Sequence, residues 1–270
     1  MRYPGGRPIV AVAAVLAGLL LCTVPVGAHD MWIAPVPTEG SKSLGALDLR
    51  FVIGHGKMRK RYGRTNRRIL RFEILRAQGG APRVIAGADG QRPAGRLTGL
   101  DKGSYAVVYH GKPAHVTMTI ESFRAYLRTE GDDRALRLLK SLGSRGDQRE
   151  SYARHLKALI RVAPGTPWRK GDLNAGLSFE FLVQSDPFVS SGPLRLQLMH
   201  RGVPSVGTRV RAFRADGSGS ELTARTDTEG RVSLTLPTPS RHLWVIAAVH
   251  MSLNPDGRWH SDWTALSLRR

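Results

Sequence analysis

The chain has 270 residues, 41 Lys and Arg against 21 Asp and Glu, a formal net charge of +20, and one cysteine. A single cysteine excludes a disulfide-stapled scaffold and a thiolate metal cluster, while the length is enough for one large or two small cores. The basic excess favours anionic polymers or lipid as partners. The charges are spread along the chain, however, and the densest run, Lys57 to Arg68, interleaves only Tyr62 and sits in no nucleic-acid module, so nucleic acid is not an expected partner.

At the start, Arg2 and Arg7 precede an apolar run from Ile9 to Cys22, and Val26 and Ala28 occupy the positions a signal peptidase reads. Residues 1–28 are therefore read as an export signal, cleaved before His29. The run is shorter than the roughly 20 residues a membrane-spanning helix needs, and Leu21 before Cys22 disfavours lipid attachment. The expected mature protein is periplasmic or secreted and not membrane-spanning. Losing Arg2 and Arg7 leaves 39 basic residues against 21 acidic, a charge of about +18.

Short apolar–polar alternations at Leu44 to Ile53, Arg68 to Leu75, Ser104 to Tyr109 and His115 to Ile120 predict half-buried strands. Between Glu121 and Arg161 the period becomes helical, with Phe123, Tyr126 and Leu127, then Leu136, Leu138 and Leu139, then Tyr152, Leu156 and Leu159. Gly131, Gly143 and Gly146 divide this stretch into three predicted helices, the last pairing Glu150 with Arg154 at four residues' spacing. Strand character resumes at Leu177 to Val183. Beyond Ser190-Ser191-Gly192-Pro193, evenly spaced strands from Leu194 to Leu268, with turns at Asp216-Gly217 and Thr228-Glu229-Gly230, predict a Greek-key sandwich.

The predicted fold is mainly β: two β-sandwich domains, Ig-like or transthyretin-like, with a short helical insertion. The predicted domains are 29–190, carrying the insertion near 121–161, and 191–270.

Histidine dominates the candidate chemistry. Cleavage before His29 sets a terminal amine beside an imidazole, and the two together chelate one metal ion. His55, between Gly54 and Gly56, reads equally as a presented ligand or a surface-turn residue. His250 ends the apolar run Leu243 to Val249, where a core histidine bonded to backbone is the ordinary alternative. His260 and Asp262 alternate, so in a strand they share a face and can supply a ligand or a carboxylate acceptor for a metal-bound imidazole. His110, His115, His155, His200 and His242 have no partner at ligand spacing and are assigned structural or exposed roles. No nucleophile elbow, His-Glu-x-x-His helix or phosphate-binding Gly-rich loop is present, which argues against an enzyme.

The segments His29-Asp30-Met31-Trp32-Ile33-Ala34-Pro35, Gly54-His55-Gly56, Glu121 to Gly131, Glu150 to Leu159, Ala248-Val249-His250-Met251 and Asp262 to Leu266 resemble the DUF4198 family, exported bacterial proteins described as periplasmic components of nickel or cobalt uptake. The resemblance implies a two-domain periplasmic β protein in which His29, His55 and His250 match recurring histidines. It departs at His260, where the family tends to place an acidic residue.

The leading expectation is a non-catalytic carrier that binds a divalent transition metal through His29, His55, His250 and His260 and delivers it to a membrane metal transporter. Ni²⁺ or Co²⁺ is favoured by resemblance, with Cu²⁺ or Zn²⁺ compatible with imidazole ligands. The alternatives are a copper-dependent oxidative enzyme of the N-terminal His-brace type and a structural sandwich whose basic surface meets anionic envelope polymers.

Overall fold

The computed structural model describes residues 30–41, 45–55, 58–163, 168–189, 192–237 and 242–270, except the His55 side chain; the expected export signal and His29 lie outside the described residues. The chain runs through β1 (Asp30–Pro37), β2 (Leu47–His55), β3 (Met58–Tyr62), β4 (Ile69–Arg76), β5 (Arg83–Val84), β6 (Gly95–Leu97), β7 (Gly103–Gly111) and β8 (Ala114–Met118). Two helices, α1 (Ile120–Glu130) and α2 (Asp133–Ser141), lead into the long β9 (Gln148–Val162) and then β10 (Phe179–Val183). The rest is β11 (Leu194–His200), β12 (Val203–Pro204), β13 (Arg209–Arg214), β14 (Leu222–Arg225), β15 (Arg231–Leu234), β16 (Leu243–Leu253) and β17 (Trp259–Arg269).

The fold is mainly β with a short helical insertion, and its two sandwiches share one middle layer. A central sheet runs β14-β13-β16-β17-β9-β7-β4-β5, with β8 also paired to β9. β17 and β9 are parallel, and the other neighbours in this sheet are antiparallel. The four-stranded sheet of β1, β2, β3 and β6 covers one face, where Trp32, Ile33 and Phe51 pack with Phe72, Val107, Leu156 and Val245. The four-stranded sheet of β10, β11, β12 and β15 covers the other, where Phe179 and Leu196 pack with Val108, Leu159, Ile246 and Leu266. Strands from both sides of residue 190 are hydrogen-bonded together in two of the sheets, since β17 lies beside β9 in the central sheet and β10 pairs with β11 in a covering one.

The helices lie over the end of the central sheet on the β1–β3 side, where Phe123, Tyr126 and Leu127 pack with Val249, Met251, Trp259 and Trp263. Tyr126 stacks on Trp263 at 6.0 Å between ring centroids. Thr119 and Asp132 cap the two helices by accepting from the Ser122 and Ala135 amides, and Gly131 ends α1 at φ 68°, the left-handed conformation glycine adopts freely.

The third predicted helix is instead the strand β9. Its residues from Leu156 to Ile160 are buried on both faces of the central sheet, which replaces strand alternation with a run that is apolar except for Lys157 and that periodicity cannot tell from a buried helix. The predicted Glu150–Arg154 helical pairing falls with it. In a strand, residues four apart lie on one face but about 13 Å apart along the chain direction.

Two-sided burial also traps a charge pair. The Lys157 ammonium, 2% exposed, donates to Glu180 Oε1 at 2.5 Å, Phe181 O at 2.7 Å and Leu173 O at 3.2 Å. Glu180 also accepts from the Ala175 and Leu177 amides at 2.7 and 3.0 Å. Removing one member of such a pair strands the other, at a cost of about 3–5 kcal/mol. Lys157→Met should therefore lower Tm by on the order of 10 °C, given about 2–4 °C per kcal/mol at this size. Adding Glu180→Gln, which keeps one acceptor oxygen for the Ala175 and Leu177 amides and removes the orphaned charge, should recover part of the loss in a thermal melt.

Candidate functional site

Strand register gathers histidines that are far apart in sequence. β16 sets His250 opposite Asp262 and Ser252 opposite His260. β9 places His155 beside Thr264, two residues along β17 from Asp262, and β7 sets His110 opposite His155. By alternation, His110, His155, His250, His260 and Asp262 lie on the face that carries Val108, Leu159, Ile246 and Leu266. His200, the last residue of β11, reaches in from the covering sheet.

Three imidazoles converge on one carboxylate. His155 Nε2 is 3.0 Å from Asp262 Oδ1, His200 Nε2 is 2.8 Å from Oδ2, and His260 Nε2 is 3.3 Å from Oδ1. Two more rings flank them, His250 on His200 at 4.0 Å between centroids and His110 on His155 at 4.7 Å. Arg201 brings a guanidinium nitrogen to 3.7 Å from Asp262 Oδ2 from a turn residue at φ 50°, a conformation seldom taken by residues with a Cβ. Its amide is held by Ser178 O at 2.6 Å.

Burial would raise the Asp262 carboxyl, which is 3% exposed, but the bonds from His155, His200 and His260 outweigh it and hold the group far below the carboxylate range. His250 is pushed down to about 4 by burial, and further by His200 and Arg134. His110 is lowered by burial and by His155. The site therefore holds a fixed negative charge and at least two imidazoles kept neutral at pH 7.

It opens to one side. His200 and His250 also line a groove of about 610 Å³ with Asp132, Arg134 and Arg137 of the helical insertion and Arg209 of β13. Arg134 donates to Met251 O at 2.7 Å, and the same guanidinium nitrogen lies 3.5 Å from His250 Nε2.

Of the four residues the sequence singled out, His250 and His260 are in this cluster, and Asp262 is the carboxylate acceptor expected beside His260. His55 ends β2, in the sheet that covers the opposite face of the central sheet. His29 lies outside the described residues, and its neighbour Asp30 is bound to Arg211 at 2.7 Å, also on that opposite face. Sequence reading assigned His110, His155 and His200 to the background, yet the structure makes them half of the cluster. His115 is exposed, and His242 pairs with Asp216 at 2.8 Å near the surface.

The imidazoles are bonded to the carboxylate, and among the described residues no group of three or more His, Cys, Asp or Glu is disposed to hold a metal ion. The chemistry of the donor set nevertheless suits one, because neutral imidazoles and an ionised carboxylate are ligands for divalent transition metals. His155 Nδ1 is buried and makes no hydrogen bond among the described residues. That ring can therefore exchange its tautomer without breaking a second bond.

On the opposite face of β17, Glu150 accepts from Ser261 Oγ and from the Tyr126 hydroxyl. Burial raises its carboxyl to about 7 despite those bonds. Between about pH 4.3, its ordinary value, and 7, the folded state keeps a proton that the unfolded chain releases, so Glu150 makes stability fall as pH rises through that window. His250 has the opposite sign: between about 6.5 and 4 the unfolded chain takes up a proton the folded state refuses, so stability falls on acidification. The two windows overlap, so in melts from pH 4 to 8 Glu150→Gln should tilt the profile toward greater stability at the neutral end and His250→Asn should tilt it the other way, by reducing the loss on acidification.

A family model described as a domain of unknown function, DUF4198, matches residues 26–252. A search of curated proteins finds no match. Among solved structures, a chain from "Structural insight into host cell surface retention of a 1.5-MDa bacterial ice-binding adhesin" aligns with 88% of this chain and 64% of its own at 10% identity and a TM-score of 0.23, too distant to carry an argument. This chain thus spans just under two thirds of that one's length. Because the family model covers most of the sequence, from the junction before β1 through β16, the chain belongs to the DUF4198 family.

Proposed function

We propose that this protein is an exported carrier of a divalent transition metal, Ni²⁺ or Co²⁺ by preference, which it takes at the Asp262 histidine cluster and delivers to a membrane uptake system. One observation supports this most: three imidazole Nε2 atoms meet at one buried, ionised carboxylate, with two further imidazoles stacked against them. Delivery to a transporter and the preferred metal rest on the family resemblance, and export rests on the signal-like pattern of residues 1–28. The metal is cargo in this reading, and no residue is assigned a catalytic role.

The parts divide by position. Asp262 and His155, 3% and 1% exposed, form the inner wall, while His200 and His250 face the groove through which an ion arrives. Arg134 and Arg201 stand at the rim, where positive charge disfavours a bare cation and eases its release. Protons compete for the same nitrogens, so affinity should fall as pH drops below the imidazole range.

The reading is tested by titrating Ni²⁺, Co²⁺, Cu²⁺ and Zn²⁺ calorimetrically into protein beginning at His29 and into a form carrying one extra residue before it. One-to-one binding should occur in both forms. It should weaken by more than about 100-fold in His200→Ala/His260→Ala, exceeding the roughly 10–100-fold loss typical of an outer-shell partner. Binding that survives in the double variant would remove the cluster as the site, and binding lost only in the extended form would move it to the terminal amine, His29 and His55.

A further inference from the structure

On the β1–β3 side of the central sheet, across β7 and β9 from the histidine cluster, a pocket of about 50 Å³ opens between the two layers. Its polar walls are the cations Arg68, Lys112 and Arg154, the phenols Tyr62, Tyr109 and Tyr152, and Thr65, and among the described residues no carboxylate lines it. At roughly 10–15 Å³ for each water-sized occupant, the volume suits three to five small atoms.

Tyr109 carries the argument. Its ring is fixed in the core by Phe51 and Phe72, at 5.1 and 6.1 Å between centroids, and the residue is 6% exposed. Its hydroxyl makes no hydrogen bond among the described residues and lies beside Gly111, another residue of the pocket, so it is open to a ligand there. Burial pushes that hydroxyl up to about 12 against the pull of Arg154 and Arg68, so at neutral pH it is a donor. A Cβ on Gly111 would come within 2.9 Å of the same oxygen, which makes glycine the residue that leaves its approach clear. Arg154 lies over the Tyr152 ring at 4.9 Å, and Arg68 donates to Pro113 O at 3.3 Å, so two of the cations are held in place.

We propose that this pocket binds a small oxyanion of the phosphate or sulfate class, with Arg154 and Arg68 supplying charge and Tyr109 donating a hydrogen bond. The site is independent of the metal reading. An anion held there joins β7 and β9 to the loop after β3, bracing the first sandwich.

The test is calorimetric titration of the full chain with inorganic phosphate, inorganic sulfate and glycerol 1-phosphate in 0.3 M NaCl, which suppresses diffuse attraction to a basic surface. Saturable one-to-one phosphate binding is expected. Tyr109→Phe, which keeps the ring packing, should weaken it about tenfold or more, as for a hydrogen bond to a charged group, and Arg154→Gln should weaken it further. Lys170→Gln, distant from the pocket, should leave it unchanged. Glycerol 1-phosphate binding as tightly as phosphate identifies the end of a larger phosphoester as the ligand, and weaker binding identifies the free ion; either outcome keeps the oxyanion site. No saturable binding, or equal affinity in the wild type and Tyr109→Phe with both folded by circular dichroism, would overturn the proposal.

Discussion

The parallel pairing of β17 with β9 is the constraint on which the rest of the molecule depends. It joins the last strand to one from the middle of the chain at the centre of the central sheet, so each must be covered on both faces. A parallel pair is stable in that setting because apolar layers shield it on both sides, and here two small sheets and the helices supply the cover. The same pairing brings Asp262 within reach of His155, so the architecture and the candidate site have one origin.

Alternation along β17 then separates two electrostatic environments across one backbone. Ser261 points toward the helices and meets Glu150, a carboxyl that burial raises to about 7. Asp262 points the other way and meets three imidazoles, which keep it ionised although it too is buried. The two faces thus hold buried carboxyls displaced in opposite directions, Glu150 upward and Asp262 downward. What differs is the donors: hydroxyls offset only part of the desolvation of Glu150, whereas three imidazole bonds overcome that of Asp262. A third buried charge, Lys157, lies two residues from His155 and is balanced by Glu180 and two carbonyls. The stretch around Asp262 is consequently polar and buried, with its partners already arranged.

Much of the fold was legible because strands such as β4 and β11 alternate in burial, and because turn residues bound even the doubly buried β7 and β16. β2, β4, β7, β11, β13 and β16 fall where the alternation and turns predicted them, and Thr119, Asp132 and Gly131 mark the helix ends as local chemistry requires. β9 was misread because double burial erases the period of two. The His260–Asp262 pair was legible for the same reason that β9 was not: a single strand fixes the relation of i to i+2. His110, His155 and His200 were not legible. Their convergence depends on the register between β7 and β9, the pairing of β9 with β17 and the overhang of β11, and none of these is written in spacing along the chain. The oxyanion pocket was invisible likewise, since Tyr109 read as one more apolar residue of a strand.

The central claim, that Asp262 organises His155, His200 and His260 into one site that a divalent metal enters, is tested most directly by long-range ¹H–¹⁵N NMR of histidine side chains before and after addition of diamagnetic Zn²⁺. The account predicts that in the metal-free protein these three rings carry a proton on Nε2, directed at the carboxylate, and that saturating zinc removes the proton from Nε2 of all three while leaving His115 and His242 unchanged. Three rings whose Nε2 is unprotonated in the metal-free protein, or whose signals stay in place at saturating zinc, would contradict it.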